Sequence, residues 1–174
     1  MPIDNSPSPE LLLRPSLLLL DGQAVEGHEI CVHRGRIAAI RKTVKPVNLP
    51  DRLLMPGFVN AHSHAFQRGI RGFVQHAVGN DDFWAWRKRM YRLASTLTPE
   101  GIRDLSALAY LEMLQAGFTT VGEFHYLHHQ SDGKPYDNRI ELSLKVAEAA
   151  DEVGIGMCLL RVAYARAGAG QKPL

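Results

Sequence analysis

The sequence has few cysteines, no long uninterrupted apolar run and little net charge. Its two cysteines, Cys31 and Cys158, lie far apart without a CxxC spacing, so a disulfide scaffold is not indicated and reduced thiols are expected. Its longest apolar runs, such as LLLRPSLLLL, are interrupted by Arg14 and Pro15 and are too short to span a bilayer. A formal net charge of +2 argues against nucleic acid or an anionic membrane as the partner.

Several signatures of localisation and nucleotide chemistry are also missing. The first residues, MPIDNSPSPE, lack the basic region of a secretory signal, so we expect a cytoplasmic protein in which residues 1–10 form a flexible tail. No GxGxxG or P-loop follows a strand-like segment, which disfavours nucleotide binding. No nucleophile elbow or cysteine–histidine dyad is evident either.

Two sequence patterns divide residues 11–174. Residues 11–52 alternate like short strands, with turn signals at Asp21-Gly22 and Arg34-Gly35 and a proline-containing connector, KTVKPVNLPD. Residues 53–174 begin with LLMPGFVNA, a run typical of a strand covered on both faces. We predict the N-terminal part of a small β-domain over the first range and repeated strand–helix units over the second.

The second range alternates strand and helix patterns. A loop is predicted over residues 65–81, a helix in DDFWAWRKRMYRLAS, and a second helix from Thr98-Pro99 to Gly117. The strand FTTVGEF, a helix marked by Ile140, Leu144, Ala147 and Ala150, and the strand IGMCLLRVAY follow. This order predicts a parallel sheet. It fits an open doubly wound sheet or the first three strands of a (β/α)8 barrel, which needs about 250 residues when complete.

Two histidines sit one residue apart where the first of these strands ends. Alternation along a strand points residues i and i+2 to the same side, so His62 and His64 project together. The carboxyl ends of the strands are where α/β barrels build active sites, and two imidazoles there can bind one divalent ion. The other interpretation is a chance HxH, or a histidine that ends a strand.

A second histidine cluster, EFHYLHH, follows the second strand. His125, His128 and His129 could supply a ligand, a substrate contact or a proton carrier, whereas a solvated loop is the simpler interpretation for His128 and His129. Glu123 could be buried and paired, or could reach the site.

Three further residues are candidates for holding a polar substrate. Arg87 lies among the aromatics of DDFWAWRKRMYR, and arginine suits bidentate contact with a carboxylate. Gln67 and Tyr126 are near the two histidine motifs. The alternative for this stretch is an amphipathic helix with Trp84 packed inward and its cations in water.

Longer motifs carry a resemblance to a known family. LMPGFVNAHSHAFQRGIRG resembles the first-strand signature of the amidohydrolase superfamily, and FWAWR, GEFHYLHH and DGKPYDN resemble its N-formimidoyl-L-glutamate deiminase family. The resemblance implies an α/β fold: a small N-terminal β-sandwich segment followed by the first βα units of a distorted (β/α)8 barrel, truncated. It also implies cytoplasmic homodimers that release ammonia from N-formimidoyl-L-glutamate, a small-molecule substrate with carboxylates.

The resemblance assigns roles to five residues. His62 and His64 match metal ligands for zinc, with Fe, Co or Ni also suited to imidazole, and Gln67, Arg87 and Tyr126 match residues that hold the glutamyl part. Family members are more than twice as long, so the remaining ligands and the catalytic acid–base residues are expected beyond residue 174. We therefore expect residues 1–174 alone either to be poorly stable or to associate, and to be inactive. The alternatives are an aminohydrolase acting on a heterocyclic amine and a non-catalytic remnant.

Overall fold

The computed structural model describes residues 11–74 and 83–164, and the chain divides into two compact units between Pro56 and Gly57. The first unit contains β1 (Leu11–Leu13), β2 (Pro15–Leu20), β3 (Gln23–Val25), β4 (His28–His33), β5 (Arg36–Lys42) and β6 (Leu49–Leu54). The second contains β7 (Phe58–Ser63), a 3-10 helix (Ala65–Ile70), α1 (Phe83–Ala94), α2 (Pro99–Gln115), β8 (Phe118–His125), α3 (Glu141–Val153) and β9 (Gly156–Arg161). The predicted tail, residues 1–10, lies outside the described residues.

The first unit is built from hairpins whose turns were predicted. β2 and β3, and likewise β4 and β5, pair antiparallel through two-residue turns. Asp21, Gly22, Arg34 and Gly35 have φ of 51°, 77°, 50° and 71°, the left-handed backbone that such turns require. Two three-stranded sheets result, ordered β1-β4-β5 and β3-β2-β6. Whether they form a sandwich stays a prediction.

The junction between the units differs from the prediction. The prediction of a connector over KTVKPVNLPD is wrong for its last three residues, because Leu49–Leu54 forms β6, which pairs with β2. The run LLMPGFVNA is therefore not one strand: its first two residues end β6, and β7 starts at Phe58. Pro56, which lacks an N–H, lies in the break. The observed junction falls four residues after the predicted boundary between residues 52 and 53.

The second unit has the predicted parallel sheet, ordered β7-β8-β9. The predicted covering of both faces of β7 is wrong for the described residues, since Phe58 and Val59 are 51% and 64% exposed. Residues 65–81 were predicted to be a loop, yet Ala65–Ile70 forms a 3-10 helix; residues 75–82 lie outside the described ranges.

The helices of the second unit begin and end where the sequence indicated. The Thr98 hydroxyl accepts a hydrogen bond from the Gly101 N–H at 3.1 Å, which caps α2. Gly117 and Gly154 follow α2 and α3 with φ of 88° and 82°, so each ends its helix in a left-handed conformation. The predicted apolar face of α3 is partly wrong, because Ile140 and Leu144 are exposed.

One hydrophobic core supports the sheet of the second unit. α2 and α3 pack on each other, α2 also packs against β8, and α3 also packs against β9. Tyr110, Val121 and Ala149 in this core are completely buried. The opposite face of β8 carries Phe124, whose ring packs against His62 and His64.

Gly122 in β8 gives a test of this packing. A Cβ on Gly122 would lie 2.9 Å from the backbone oxygen of Ala61 in β7, and this backbone cannot move without disturbing the strand pair. We expect Gly122→Ala to destabilise the protein by about 1–3 kcal/mol, measured by urea unfolding. Gly101→Ala is the control, since its Cβ would meet only ordinary contacts at 3.4 Å or more. Equal stability of the two variants would contradict the close approach of the strands.

Candidate metal centre and substrate pocket

His62 and His64 converge at the carboxyl end of β7. Their Nε2 atoms are 3.1 Å apart, and the two rings meet edge to face with centroids 4.7 Å apart. Two imidazoles on one tetrahedral zinc, each bonded at 2.0–2.1 Å, have nitrogens about 3.3 Å apart. The pair therefore fits as two ligands of one ion.

The orientation of His64 also suits a metal ligand. Its Nδ1 lies 2.9 Å from the backbone oxygen of Phe124 on β8. A carbonyl oxygen can only accept, so Nδ1 carries the proton and Nε2 keeps its lone pair for a metal. Among residues 11–74 and 83–164, no His, Cys, Asp or Glu joins the pair to form a group of three. The described residues thus offer two candidate ligands.

A cavity of about 550 Å³ adjoins His64. The three residues predicted to hold the substrate, Gln67, Arg87 and Tyr126, all line it. They come from three separate elements: the 3-10 helix, α1 and the segment that follows β8. The fold thus brings together four of the five predicted site residues around one pocket, with His62 beside them.

Gln67 and Tyr126 form a hydrogen-bonded pair in the wall of this pocket. Gln67 Nε2 donates to the Tyr126 hydroxyl at 2.9 Å, and this hydroxyl lies 3.8 Å from Met90 Sδ. Burial raises the pKa of Tyr126. The phenol therefore keeps its proton near neutral pH and can donate it to an anion in the pocket.

Arg87 is held by aromatic rings of α1. Its guanidinium carbon lies 5.5 Å from the Trp84 ring centroid and 5.2 Å from that of Tyr91, and Nη2 donates to the Tyr91 hydroxyl at 3.2 Å. Trp84 is 64% exposed, so the interpretation that it packs inward is wrong; Trp86 packs there instead. Tyr91 was not among the predicted site residues. Its position four residues after Arg87 on a helix nevertheless predicts contact between the two side chains.

The second histidine cluster divides between two environments. His125 is 2% exposed and lies on the face of β8 opposite Phe124, away from the histidine pair. His128 Nε2 lies 2.7 Å from the backbone oxygen of Val162, and His129 is exposed, though both line the pocket.

Glu123 is buried, and its Oε1 accepts a hydrogen bond from the Ala65 N–H at 2.8 Å.

Comparison with known proteins now identifies the family. The model of the amidohydrolase family matches residues 53–173, which is more than half of the chain. The chain belongs to the amidohydrolase family. A crystal structure of an amidohydrolase from Brucella melitensis superposes with a TM-score of 0.84 at 38% identity, over 94% of this chain and 37% of that one. The mixed α/β fold is therefore that of amidohydrolases, as predicted.

Relatives of known activity are deaminases and hydrolases. The chain is 49% identical over 121 residues to formimidoylglutamate deiminase of Pseudomonas aeruginosa, covering 69% of this chain and 27% of that protein. It is 30% identical over 110 residues to 8-oxoguanine deaminase of the same organism, covering 63% and 22%. Zinc-complexed atrazine chlorohydrolase from Arthrobacter aurescens superposes with a TM-score of 0.69 at 20% identity, over 86% of this chain and 35% of that one, which shows the fold alone.

The chain thus spans about a quarter of the length of these curated relatives. Among the described helices, none is long and apolar enough to cross a membrane.

The buried His125 predicts how stability of this amidohydrolase depends on pH. Burial, together with the neighbouring His128, lowers the pKa of His125 to about 4. The unfolded chain, with a histidine pKa of about 6.5, takes up the proton first. The stability from keeping His125 neutral is therefore fully present above about pH 6.5 and is lost as the pH falls towards 4, by at most about 3 kcal/mol.

His125→Leu should flatten the dependence of unfolding free energy on pH between 4 and 6.5, measured by urea unfolding at several pH values. The control is Val146→Ala, which removes buried apolar volume without a titrating group and should lower stability equally at every pH. A slope as steep in His125→Leu as in the unchanged protein would refute this assignment.

Proposed function

We propose that the full-length gene product carrying this sequence is a metal-dependent deiminase acting on N-formimidoyl-L-glutamate. Water replaces the imino nitrogen of the substrate, which yields N-formyl-L-glutamate and ammonia. The observation that carries the proposal is the placement of the facing His62 and His64 beside a pocket lined by Gln67, Arg87 and Tyr126. The 49% identity to a formimidoylglutamate deiminase supports it.

We propose that His62 and His64 hold a zinc ion, in place of which imidazole ligands also accept Fe, Co or Ni. The Phe124 carbonyl binds Nδ1 of the His64 ring, which would leave Nε2 available to that ion. When bound, a divalent cation supplies a nucleophile by lowering the pKa of water to about 7. The remaining ligands and the acid–base residues belong, in this proposal, to parts of the full-length protein outside the described residues, and residues 1–174 alone are inactive.

The pocket residues have the chemistry to hold the glutamyl part. Arg87 offers a planar guanidinium that fits a carboxylate, and its stacking on Trp84 and Tyr91 restricts its motion. The protonated Tyr126 and the amide of Gln67 add neutral donors. Holding both carboxylates orients the formimino carbon towards the histidine pair. A cytoplasmic homodimer is part of the proposal.

The second candidate is an aminohydrolase of a heterocyclic amine. The aromatic side chains of Trp86 and Tyr91 in the pocket wall favour it, because they can stack on a flat ring. Relatives that act on such rings include 8-oxoguanine deaminase, at 30% identity. Arg87 distinguishes the two candidates, because a purine ring has no carboxylate for it to hold.

Metal content tests the histidine pair. We expect the purified full-length protein to retain about one zinc per chain after dialysis, and His64→Ala to lose it, because removal of one of a few ligands greatly weakens the site. The measurement is elemental analysis of both proteins. His33→Ala, at an exposed histidine of β4, is the matched control and should retain the metal. Full retention in His64→Ala would remove the pair from the metal site.

Steady-state kinetics test the substrate. Arg87→Met in the full-length protein should raise KM for N-formimidoyl-L-glutamate by about 10- to 100-fold, since a hydrogen bond to a charged group contributes about 1.5–3 kcal/mol. Lys88→Met is the control, because the adjacent side chain is exposed and lies outside the pocket wall. An unchanged KM in Arg87→Met, with turnover of a heterocyclic amine, would favour the second candidate.

A further inference from the structure

Glu123 is a buried carboxyl group that the proposed chemistry does not use. It is 1% exposed and lies within β8, directly opposite Ser63 of β7 in the strand register. Placing a carboxyl group in the interior is costly unless hydrogen bonds compensate for lost water. Its partners therefore indicate why the fold carries it.

The partner of Glu123 is the residue that follows the second histidine of the pair. Glu123 Oε1 accepts a hydrogen bond from the Ala65 N–H at 2.8 Å. Ala65 begins the 3-10 helix, where the first N–H groups have no acceptor within the helix, and the preceding His64 side chain makes no capping bond. Glu123 supplies that acceptor from a neighbouring strand.

This hydrogen bond restrains the backbone of His64. The Ala65 N–H and the His64 carbonyl belong to one planar peptide group, so holding the N–H sets the orientation of that plane. His64 has φ −130° and ψ 77°, a non-helical backbone directly before the 3-10 helix. The His64 ring is held in addition by the Phe124 carbonyl at 2.9 Å. Two consecutive residues of β8 thus hold the main chain and the ring of His64.

Packing alone does not account for a carboxyl group at this position. Tyr110 and Ser106 of α2 are fully buried. Burial, followed by the charge of the nearby Glu123 carboxyl and its side-chain interaction with the phenol, raises the pKa of Tyr110. The Tyr110 hydroxyl lies 3.9 Å from Met157 Sδ, and Glu123 Oε2 has no hydrogen-bond donor among the described residues. An apolar side chain would avoid this cost, and the hydrogen bond from the Ala65 N–H compensates for part of it.

We propose that Glu123 is a positioning residue: its carboxyl oxygen holds the Ala65 amide, and through it His64, where the Nε2 atoms of His62 and His64 face each other. The inference rests on the proposed metal site, because metal affinity is the property that this geometry serves. Residues that orient metal ligands contribute about 10- to 100-fold to metal affinity.

Two substitutions in the full-length protein test this role. Glu123→Leu removes the acceptor and should weaken zinc binding about 10- to 100-fold, measured by competition with a chromophoric chelator. Glu123→Gln keeps an oxygen acceptor of the same reach and should retain most of the affinity. Val121→Ala is the matched control: Val121 is fully buried on the same face of β8, two residues earlier, and has no bond to Ala65. It should lower stability without weakening zinc binding.

A second readout needs no metal. In the metal-free protein, NMR measures hydrogen exchange of the Ala65 amide and the ring resonances of His64, which packs against Phe124 and Tyr126 with centroids 5.3 and 5.1 Å away. Glu123→Leu should speed the exchange and shift the resonances. Glu123→Gln and Val121→Ala should stay close to the unchanged protein.

The outcomes separate this inference from the proposed function. If Glu123→Leu binds zinc like the unchanged protein while His64→Ala loses it, the positioning role is overturned and the metal site stands. An equal loss in Glu123→Leu and Val121→Ala also overturns it, since general destabilisation then explains the effect. If the unchanged protein binds no zinc, the proposed function fails; unaltered Ala65 exchange in Glu123→Leu would then overturn the positioning role as well.

Discussion

The parallel pairing of β7 with β8 is the constraint on which the rest of the site depends. It sets Ser63 opposite Glu123, although the two residues are far apart in the chain. The next residue, Phe124, then presents its carbonyl oxygen to the His64 ring. β8 thus acts on His64 in two ways. The buried carboxyl group of Glu123 binds the Ala65 N–H, and the main-chain oxygen of Phe124 binds the His64 ring. The same pairing explains why a glycine stands at position 122, where the strands approach closely.

The 3-10 helix follows β7 and forms one wall of the pocket beside His64. It carries Gln67 three residues after His64, and its inner residues Phe66 and Ile70 pack with Met90 of α1. Its outer side is tied to α2, because Arg68 donates two hydrogen bonds to the Glu112 carboxylate at 2.7 and 2.8 Å. Bidentate contact of this kind fixes direction as well as distance. Gln67 therefore reaches Tyr126 with little freedom.

In the proposed function, metal binding and substrate selection belong to different parts of this amidohydrolase unit. The proposed metal ligands, His62 and His64, lie at the carboxyl end of β7. The pocket wall comes from α1, the 3-10 helix and the segment after β8, where Arg87 stands among aromatic rings. Connecting segments vary more readily than a core sheet, so substrate preference can change there while the sheet geometry persists.

Local chemistry accounts for what could be read without a structure. The hairpin turns at Asp21-Gly22 and Arg34-Gly35, the Thr98 cap and the glycine ends of α2 and α3 each follow from the backbone preference of a few adjacent residues. The HxH spacing is equally local, since alternation along a strand suffices to bring two imidazoles to one side. The family resemblance added Gln67, Arg87 and Tyr126, whose shared pocket the structure then displayed.

Tertiary structure decided the features that depend on distant partners. β6 forms because β2 offers it an edge, although its own residues include a proline. Leu144 of α3 and Ile140, just before that helix, are exposed because α2 and β9 pack against the other side of α3. Glu123 could not be assigned from sequence, since its bond to Ala65 joins residues 58 positions apart. Sequence neighbours specify turns, caps and the direction of side chains, whereas the pairing of strands specifies which of those side chains meet.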